Sequence, residues 1–392
     1  MLYSRRKGAN MQTMKGLANT LELLVKGELL KGGPMTFARF MELALYHPSY
    51  GYYGSGRARS GKAGDFYTSP HAGAVFGALI AEVFATLRAG AGPFCMVEVG
   101  AGEGVFAADF LDWLSRYHPD AYSGIRYYIV ERSPGMRARQ RATLARHRGV
   151  VSWYGRTRDL PGPLTGMVFS NELVDSLPFH RVSQSVGALS EMYVTTERGG
   201  LAWSEGPVST PLIPERFNRL GVNLASGTKT EVCLAAEEWM RDAAKVLERG
   251  YIVTVDYGYT AREYYSPERM DGTFLCYRGH DVNEDPFRDI GSQDITAHAD
   301  FTTLALCGQS AGLVPALLTD QTSFLAEAGA ALEATLVEAG ADVEDFEKAG
   351  RGMKALIHPD WLGGTFKVLV QTKGADLPDI FYRMPNMADM LF

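Results

Sequence analysis

The stretch Met96-Val97-Glu98-Val99-Gly100-Ala101-Gly102-Glu103-Gly104 decides the fold of this chain. Its first four residues are mostly apolar, as in a buried parallel strand, and three glycines follow at every second position. Residues 105–114 then space large apolar side chains as a helix does. Strand, glycine turn and helix make the first half of a nucleotide-binding βαβ unit, where glycine allows positive φ and lets a ligand lie on the main chain. We therefore predict an α/β protein with a doubly wound sheet.

The glycine spacing indicates which nucleotide is bound. Dinucleotide-binding proteins use G-x-G-x-x-G, with the pyrophosphate on the helix N-terminus. Here the spacing is G-x-G-x-G, and it resembles motif I of the class I S-adenosyl-L-methionine (SAM) methyltransferases. SAM has no phosphate that must be held. The carboxylate of Glu98 would suit its cationic amino group. The resemblance implies a SAM site that includes Glu98, Gly100, Gly102 and Gly104. A glycine-rich turn without a ligand is the alternative on this pattern alone.

The next predicted strand, residues 125–130, ends at the acidic residue Glu131. In open α/β sheets an acidic residue at the end of the second strand binds ribose hydroxyls. SAM has an unmodified ribose, so we predict that Glu131 binds it. The alternative is an ordinary exposed carboxylate at a strand end.

Composition limits the class of protein. At 392 residues the chain is long for one domain, so it has insertions or a second domain. A net charge of −6 disfavours a general nucleic-acid binder. No apolar run reaches the ~18 residues of a membrane span. The four cysteines lie far apart without metal-ligand spacing, as expected of reduced thiols. We expect a cytoplasmic enzyme with no metal, no nucleic-acid partner and no integral membrane segment.

The remaining hydrophobic patterns divide the chain into three parts. Residues 1–90 are predicted to form a helical cap and a cofactor-covering loop, and residues 376–392 a C-terminal tail. Residues 91–375 are predicted to form the Rossmann-like core, with inserted β and loop segments at about 181–206 and 259–300. Further core strands are expected at residues 150–154, 166–170, 251–257 and 365–371.

Segments outside the glycine turn resemble the MidA family of class I SAM-dependent methyltransferases. They are Tyr46–Tyr53, Gly64–Pro70, Asn171–Pro178, Asp256–Tyr259, Gly272–Thr273, Cys276–Arg278 and Gln293–Phe301. The resemblance runs in order from about residue 15 to 375. A mitochondrial relative in this family is an assembly factor of respiratory complex I. The resemblance implies symmetric dimethylation of an arginine in a complex I subunit, so we expect a protein substrate. A homodimer of this chain is a further possible partnership.

The loop Gly64–Pro70 is predicted to cover the cofactor, since long loops in compact domains are usually functional. Its residues Asp65, Phe66 and Thr68 would touch SAM. The alternative is a surface loop whose aromatic side chains pack on the sheet edge.

Asn171 and Glu172 follow the predicted strand four, beside the topological switch point. We expect Asn171 to orient polar groups near the sulfonium and Glu172 to face the acceptor nitrogen. Alternatively, Asn171 caps a following helix and Glu172 lies in its first turn. Asp175, three residues on, would lie on nearly the same helical face as Glu172.

Two later segments are expected at the same rim. Asp256 ends strand five, and Asp294 and His298 lie in a segment interpreted as a loop that returns to the active-site mouth. Arginine is a poor nucleophile because its guanidinium stays protonated, and carboxylates can hold it and take its proton. The candidate catalytic carboxylates are therefore Glu172, Asp175, Asp256 and Asp294. His298 is a further candidate because of the ordinary pKa of histidine, with a structural role as its alternative.

Two other functions remain open. One is a small-molecule methyltransferase, which an enclosed pocket would favour. The other is an assembly chaperone that binds SAM without catalysis. Asn171 is followed by Glu172 and not by Pro-Pro, so the N/D-P-P-Y/F motif of amide and adenine N-methyltransferases is missing, which disfavours DNA and glutamine acceptors.

Overall fold

The computed structural model of the chain describes residues 20–55, 73–90, 92–279, 281–357 and 366–392. The predicted cofactor-covering loop, with Asp65, Phe66 and Thr68, lies outside the described residues. The strands in chain order are β1 (Met35–Thr36), β2 (Cys95–Val99), β3 (Tyr127–Val130), β4 (Val151–Tyr154), β5 (Leu164–Asn171), β6 (His180–Ser185), β7 (Ala188–Glu197), β8 (Gly200–Gly206), β9 (Lys229–Val232), β10 (Leu247–Tyr259), β11 (Leu275–Arg278), β12 (Asp281–Asn283), β13 (Asp294–Thr296), β14 (Ala299–Asp300), β15 (Val314–Asp320) and β16 (Phe366–Lys373).

The helices surround these strands. They are α1 (20–32), α2 (Phe37–Tyr46), α3 (Val75–Arg88), α4 (Val105–Tyr117), α5 (Pro119–Gly124), α6 (Pro134–Thr143), α7 (Leu212–Leu220), α8 (Leu234–Val246), α9 (Ala261–Tyr264), α10 (Phe301–Ser310), α11 (Gln321–Glu338) and α12 (Val343–Ile357).

In the described part of the chain the main sheet has eight strands in the order β15-β16-β10-β5-β2-β3-β4, with β14 beside β10. From β10 to β4 the neighbours are parallel, whereas β16 runs antiparallel between β10 and β15. After β2 the chain forms β3 and β4 on one side of β2. It then returns to form β5, and later β10, on the other side of β2. The switch point therefore lies between the carboxyl ends of β2 and β5, where open α/β sheets bind ligands. The prediction of a doubly wound, Rossmann-like sheet is confirmed.

Both faces of the main sheet are covered. Helices α3, α4 and α11 pack on one face, and α8 and α10 on the other. All five residues of β2 are buried, which explains its nearly continuous apolar sequence. Helix α3 falls within the predicted 1–90 cap, yet its side chains belong to the main core.

Within the described ranges, two smaller sheets are built mostly by the insertions, with β1 and β9 added to the first of them. One has the order β1-β7-β6-β9 with β8 on β7, and the other has the order β12-β11-β13. Helices α1 and α2 pack against these insertions in a separate hydrophobic cluster. The segment that contains Asp294 was predicted as a loop, and this is wrong: Asp294–Thr296 forms β13, paired with β11.

Candidate active site

A cavity of about 690 Å³ opens over the switch point of the main sheet. Four residues predicted from the sequence line it: Gly100, Gly102, Glu131 and Glu172. The same cavity is bounded by residues of α2 and by one side of α8. The glycine turn, the end of β3 and the end of β5 therefore meet in one site.

The glycine turn presents bare main chain to this cavity. Gly100, Gly102 and Gly104 have φ values of 78°, 50° and 81°, in the region that glycine favours. A Cβ atom added to Gly102 would meet no heavy atom within 4 Å, so it would project into open space. One added to Gly104 would instead come within 3.4 Å of Gln140. Gly102 thus leaves room for a ligand on the backbone, while Gly104 shapes the turn below it.

Glu131 is held in place at the end of β3. One carboxylate oxygen accepts a hydrogen bond from the Ser133 N–H at 2.7 Å, and the other accepts one from the Gln140 amide at 3.3 Å. Burial raises the pKa of Glu131, and these hydrogen bonds oppose the shift. A carboxylate has about four acceptor positions, so Glu131 can still accept from a ligand hydroxyl. The residue is an anchored carboxylate, not an ordinary exposed one.

Glu98 lies beneath the turn. Its side chain is buried and accepts a hydrogen bond from the Tyr127 hydroxyl at 2.7 Å. Burial raises the pKa of Glu98 to about 8. The following residue, Val99, lines the cavity, whereas Glu98 is not among the described residues that do so. Its contact with SAM stays a prediction.

Glu172 adopts φ 52°, which is uncommon for a residue with a side chain. Its N–H donates to Val255 O at 3.0 Å, and its carboxylate accepts from the Asn171 amide at 2.9 Å. The amide oxygen of Asn171 is buried and has no hydrogen-bond partner within the described part of the chain. A strained residue beside an unsatisfied acceptor is typical of a functional site.

The helical interpretation of this segment is wrong. Residues 172–178 form bends and turns after β5, so Asn171 does not cap a helix there. Asp175 therefore does not lie one helical turn beyond Glu172.

Asp256 and Asp175 lie together under the Glu172 turn. Asp256 is fully buried and accepts hydrogen bonds from the N–H groups of Val174 at 2.8 Å and Tyr257 at 3.0 Å. Burial and the nearby charge of Asp175 raise its pKa well above the usual range. Asp175 accepts from the Tyr257 hydroxyl, and burial raises its pKa to about 6. Neither residue is among the described residues that line the cavity.

Two tyrosines that were not predicted as site residues form part of the cavity wall. The rings of Tyr46 and Tyr53 stack at 5.7 Å between centroids, and both line the cavity. The Tyr53 hydroxyl donates to the buried carboxylate of Asp294, and the Tyr46 hydroxyl donates to Ser176 O at 2.9 Å. Asp294 therefore lies behind the tyrosine wall. Both tyrosines belong to the Tyr46–Tyr53 segment that resembles the family, and this was the available signal.

A second unpredicted contact attaches α2 to the end of β3. Arg132 forms an ion pair with Glu42 at 2.6 Å, and its guanidinium lies 5.3 Å from the centroid of the Tyr46 ring. Ser133 Oγ donates to Gly54 O at 2.9 Å. The N-terminal segment is thus joined to the strand that carries Glu131.

The structure does not bring His298 to the cavity. Its ring packs edgewise against Tyr257 and Tyr259, at 5.2 and 5.1 Å between centroids. Burial, assisted by Arg269, lowers its pKa to about 4. This environment fits the structural alternative, since a neutral ring here is packed among aromatic side chains.

Comparison with known proteins identifies the class. Residues 75–319 match a family model described as "Putative S-adenosyl-L-methionine-dependent methyltransferase". The chain belongs to this family. A crystal structure of a Burkholderia thailandensis protein bound to S-adenosyl-homocysteine matches with a TM-score of 0.85 and 30% identity, over 96% of this chain and 98% of that one.

Curated relatives match over most of the chain as well. The Drosophila melanogaster protein named "Protein arginine methyltransferase NDUFAF7 homolog, mitochondrial" is 28% identical over 89% of this chain and 84% of its own length. The Mus musculus "Protein arginine methyltransferase NDUFAF7, mitochondrial" is 28% identical over 85% and 80%. The resemblance to the MidA family, the methyltransferase activity and SAM as the cofactor are confirmed.

The prediction of a cytoplasmic protein is wrong, because these relatives are named as mitochondrial proteins. It depended on separated cysteines and on the lack of a long apolar run, and neither distinguishes the cytosol from another reducing compartment. Within the described ranges, no helix has the length and apolar character needed to cross a bilayer.

Proposed function

We propose that this methyltransferase transfers a methyl group from SAM to an arginine side chain of a protein. SAM would lie on Gly100 and Gly102 with its ribose at Glu131, and the acceptor would approach Glu172. The observation that carries the proposal is the single cavity that all four residues line. The names of the curated relatives, which are protein arginine methyltransferases, support the type of acceptor.

The chain fits this cofactor by its backbone and its charges. Bare main chain at Gly102 leaves space for a ligand, and the carboxylate of Glu131 suits ribose hydroxyls. Asn171 is not among the described residues that line the cavity, and its buried amide oxygen, which has no partner in the described part of the chain, stays a predicted contact of SAM. SAM, when bound, supplies a methyl group on a sulfonium that is a good leaving group.

Glu172 would prepare the acceptor. The transfer forms a nitrogen–carbon bond and breaks the carbon–sulfur bond, whose electron pair leaves with sulfur, and the guanidinium nitrogen loses a proton. The Glu172 carboxylate can accept hydrogen bonds from the guanidinium, draw its charge away from the attacking nitrogen and take the proton. Holding that nitrogen at about 3 Å in line with the methyl group is catalysis by positioning.

The buried carboxylates would support this step indirectly. Asp256 holds the turn that carries Glu172 through the Val174 N–H. Asp175 and Asp294 lie behind this turn and the tyrosine wall, where their hydrogen bonds to Tyr257 and Tyr53 fix the surrounding side chains. We propose positioning roles for these three aspartates, with Glu172 as the catalytic residue.

The proposed acceptor is an arginine of a respiratory complex I subunit, which the MidA resemblance supports. Mass spectrometry of complex I subunits from host cells with and without the gene tests this proposal. We expect at least one arginine whose dimethylation disappears with the gene and returns with the wild-type gene but not with a Glu172→Gln gene. Unchanged arginine methylation together with a methylated metabolite that depends on the gene would instead identify a small-molecule methyltransferase.

A further inference from the structure

Gln140 joins three strands of the cofactor site through one side chain. It lies on α6 and is fully buried. Its amide nitrogen donates to the carbonyl oxygen of Gly102 at 2.8 Å and to the carboxylate of Glu131 at 3.3 Å. Its amide oxygen accepts from the indole N–H of Trp153, on β4, at 3.1 Å. The side chain therefore contacts the glycine turn after β2, the acidic end of β3, and β4.

The partners of this amide determine its orientation. An indole N–H can only donate, so it requires the amide oxygen of Gln140. The NH₂ group then points at two acceptors, the Gly102 carbonyl and the Glu131 carboxylate. Rotating the amide by half a turn would place oxygen against both acceptors and nitrogen against the indole donor. Trp153 thus selects the orientation in which Gln140 can hold the other two groups.

The two groups held by Gln140 are those proposed to bind different parts of SAM. Gly102 belongs to the backbone on which the ligand lies, and Glu131 belongs to the ribose site. Ser133 fixes the first oxygen of Glu131, and Gln140 fixes the second. A hydrogen bond to a carboxylate is stronger than one between neutral groups, and a fixed carboxylate needs no reordering when the ligand arrives.

We propose that Gln140 is a positioning residue for the cofactor, which sets the ribose carboxylate of Glu131 against the glycine turn. The inference rests on the proposed SAM site. It differs from simple packing, in which Gln140 would only fill the space beneath Gly104, where a Cβ atom would lie 3.4 Å from Gln140. In the proposed role Gln140 strengthens SAM binding by positioning Glu131. Replacing Glu131 should therefore abolish most of the effect of Gln140 on SAM affinity.

A double-mutant cycle on SAM affinity separates these roles. The Kd for SAM is measured by calorimetry for wild type, Gln140→Met, Glu131→Gln and the double variant. Methionine keeps the length and volume of glutamine but removes its hydrogen bonds. We expect Gln140→Met to weaken SAM binding about tenfold in the wild-type background, and less than threefold when Glu131→Gln is already present. The exposed Gln309 in α10 provides the control, since Gln309→Met should leave the Kd unchanged.

Equal losses in both backgrounds would show that Gln140 acts by packing, and an unchanged Kd for Gln140→Met would also overturn the proposal. If that variant fails to fold, Trp153→Phe replaces it, because it removes the N–H that orients the amide. Trp153→Phe should weaken SAM binding two- to fivefold in the wild-type background. It should have no measurable effect when Glu131→Gln is already present. An unchanged Kd for SAM in the single variant Glu131→Gln would instead refute the proposed SAM site.

Discussion

The carboxylate of Asp256 accepts a hydrogen bond of 2.8 Å from the backbone N–H of Val174. This contact joins the end of β10 to the turn after β5. It acts together with the bond from Glu172 N to Val255 O at 3.0 Å, so two points on β10 hold the turn. The position of Glu172 at the cavity therefore depends on a neighbouring strand that lies more than 80 residues away in sequence.

Asp256→Asn should destabilise the protein and slow methyl transfer. Both carboxylate oxygens accept N–H groups, and an amide nitrogen in either place would face a donor. Leaving a buried donor unsatisfied costs about 1–3 kcal/mol in the free energy of unfolding. Urea denaturation and SAM calorimetry check this, with SAM affinity expected to change less than threefold. The exposed Asp379→Asn is the control, and equal stability of both variants would contradict the account.

Glu172→Gln should keep SAM binding nearly intact and lower kcat/KM at least tenfold, which is about 1.4 kcal/mol of transition-state stabilisation. Glutamine preserves the shape of glutamate but lacks its charge and cannot take the proton. Steady-state kinetics with the identified acceptor give the measurement. A variant with wild-type kcat/KM would exclude Glu172 as the group that faces the guanidinium.

Glu172→Gly should separate stability from activity. The φ of 52° is strained for glutamate and free of strain for glycine. A non-glycine residue in the left-handed region costs roughly 1–2 kcal/mol of folding free energy. Glycine removes this cost, but its greater entropy in the unfolded chain offsets part of the stability gained. We expect about 1 kcal/mol of added stability with loss of transfer. Arg198→Gly, at φ 50° in the exposed β7–β8 turn, should gain similar stability at full activity. Lower stability of Glu172→Gly would show that its contacts outweigh the strain.

Gly102→Val should raise the Kd for SAM more than a hundredfold, because its side chain would project into the ligand space. Valine at positive φ also strains the backbone, so the control must carry the same strain. Gly187→Val fits, since Gly187 has φ 79° and open space around it in the β6–β7 turn. Both variants should lose similar stability by thermal denaturation, and Gly102→Val alone should lose SAM. Normal affinity in a folded Gly102→Val protein would refute the site.

Glu98 should make stability depend on pH. Burial raises its pKa from 4.5 to about 8 in the folded protein, so the folded state binds this proton more tightly than the unfolded chain. Its contribution is complete below about pH 4.5 and is lost as the pH rises towards 8. Glu98→Gln cannot titrate at this position. Between pH 5 and 8 its free energy of unfolding should therefore fall by on the order of 4 kcal/mol less than that of the wild type. Urea denaturation of the SAM-free protein across this range provides the test, with the exposed Glu338→Gln as control. Parallel pH profiles for Glu98→Gln and wild type would show that Glu98 is ionised when folded.

The parts of the site that were predictable are those set by local pattern. A buried strand, a glycine turn and a helix follow one another within residues 96–114, and the acidic end of the next strand marks Glu131. Strand β15 was not predicted because Pro315 interrupts its pattern, which an edge strand tolerates.

The parts that could not be predicted depend on contacts between distant segments. The Tyr53 hydroxyl reaches Asp294 across 241 residues, and no local periodicity reports such a pairing. A helix after Asn171 was the alternative interpretation and the basis for placing Asp175 near Glu172, but residues 172–178 take the conformation that Asp256 and Val255 impose. His298 could be recognised as part of a family segment, but its distance from the cavity depended on the tertiary fold.

The identity of the labelled product tests most directly whether this protein methylates arginine. The purified protein is incubated with SAM that carries a radioactive methyl group and with extract from host cells that lack the gene. The protein fraction is then hydrolysed and its amino acids are separated. We expect label in methylated arginine, with at least a tenfold decrease for Glu172→Gln. Label confined to small metabolites, or to another amino acid, would contradict it.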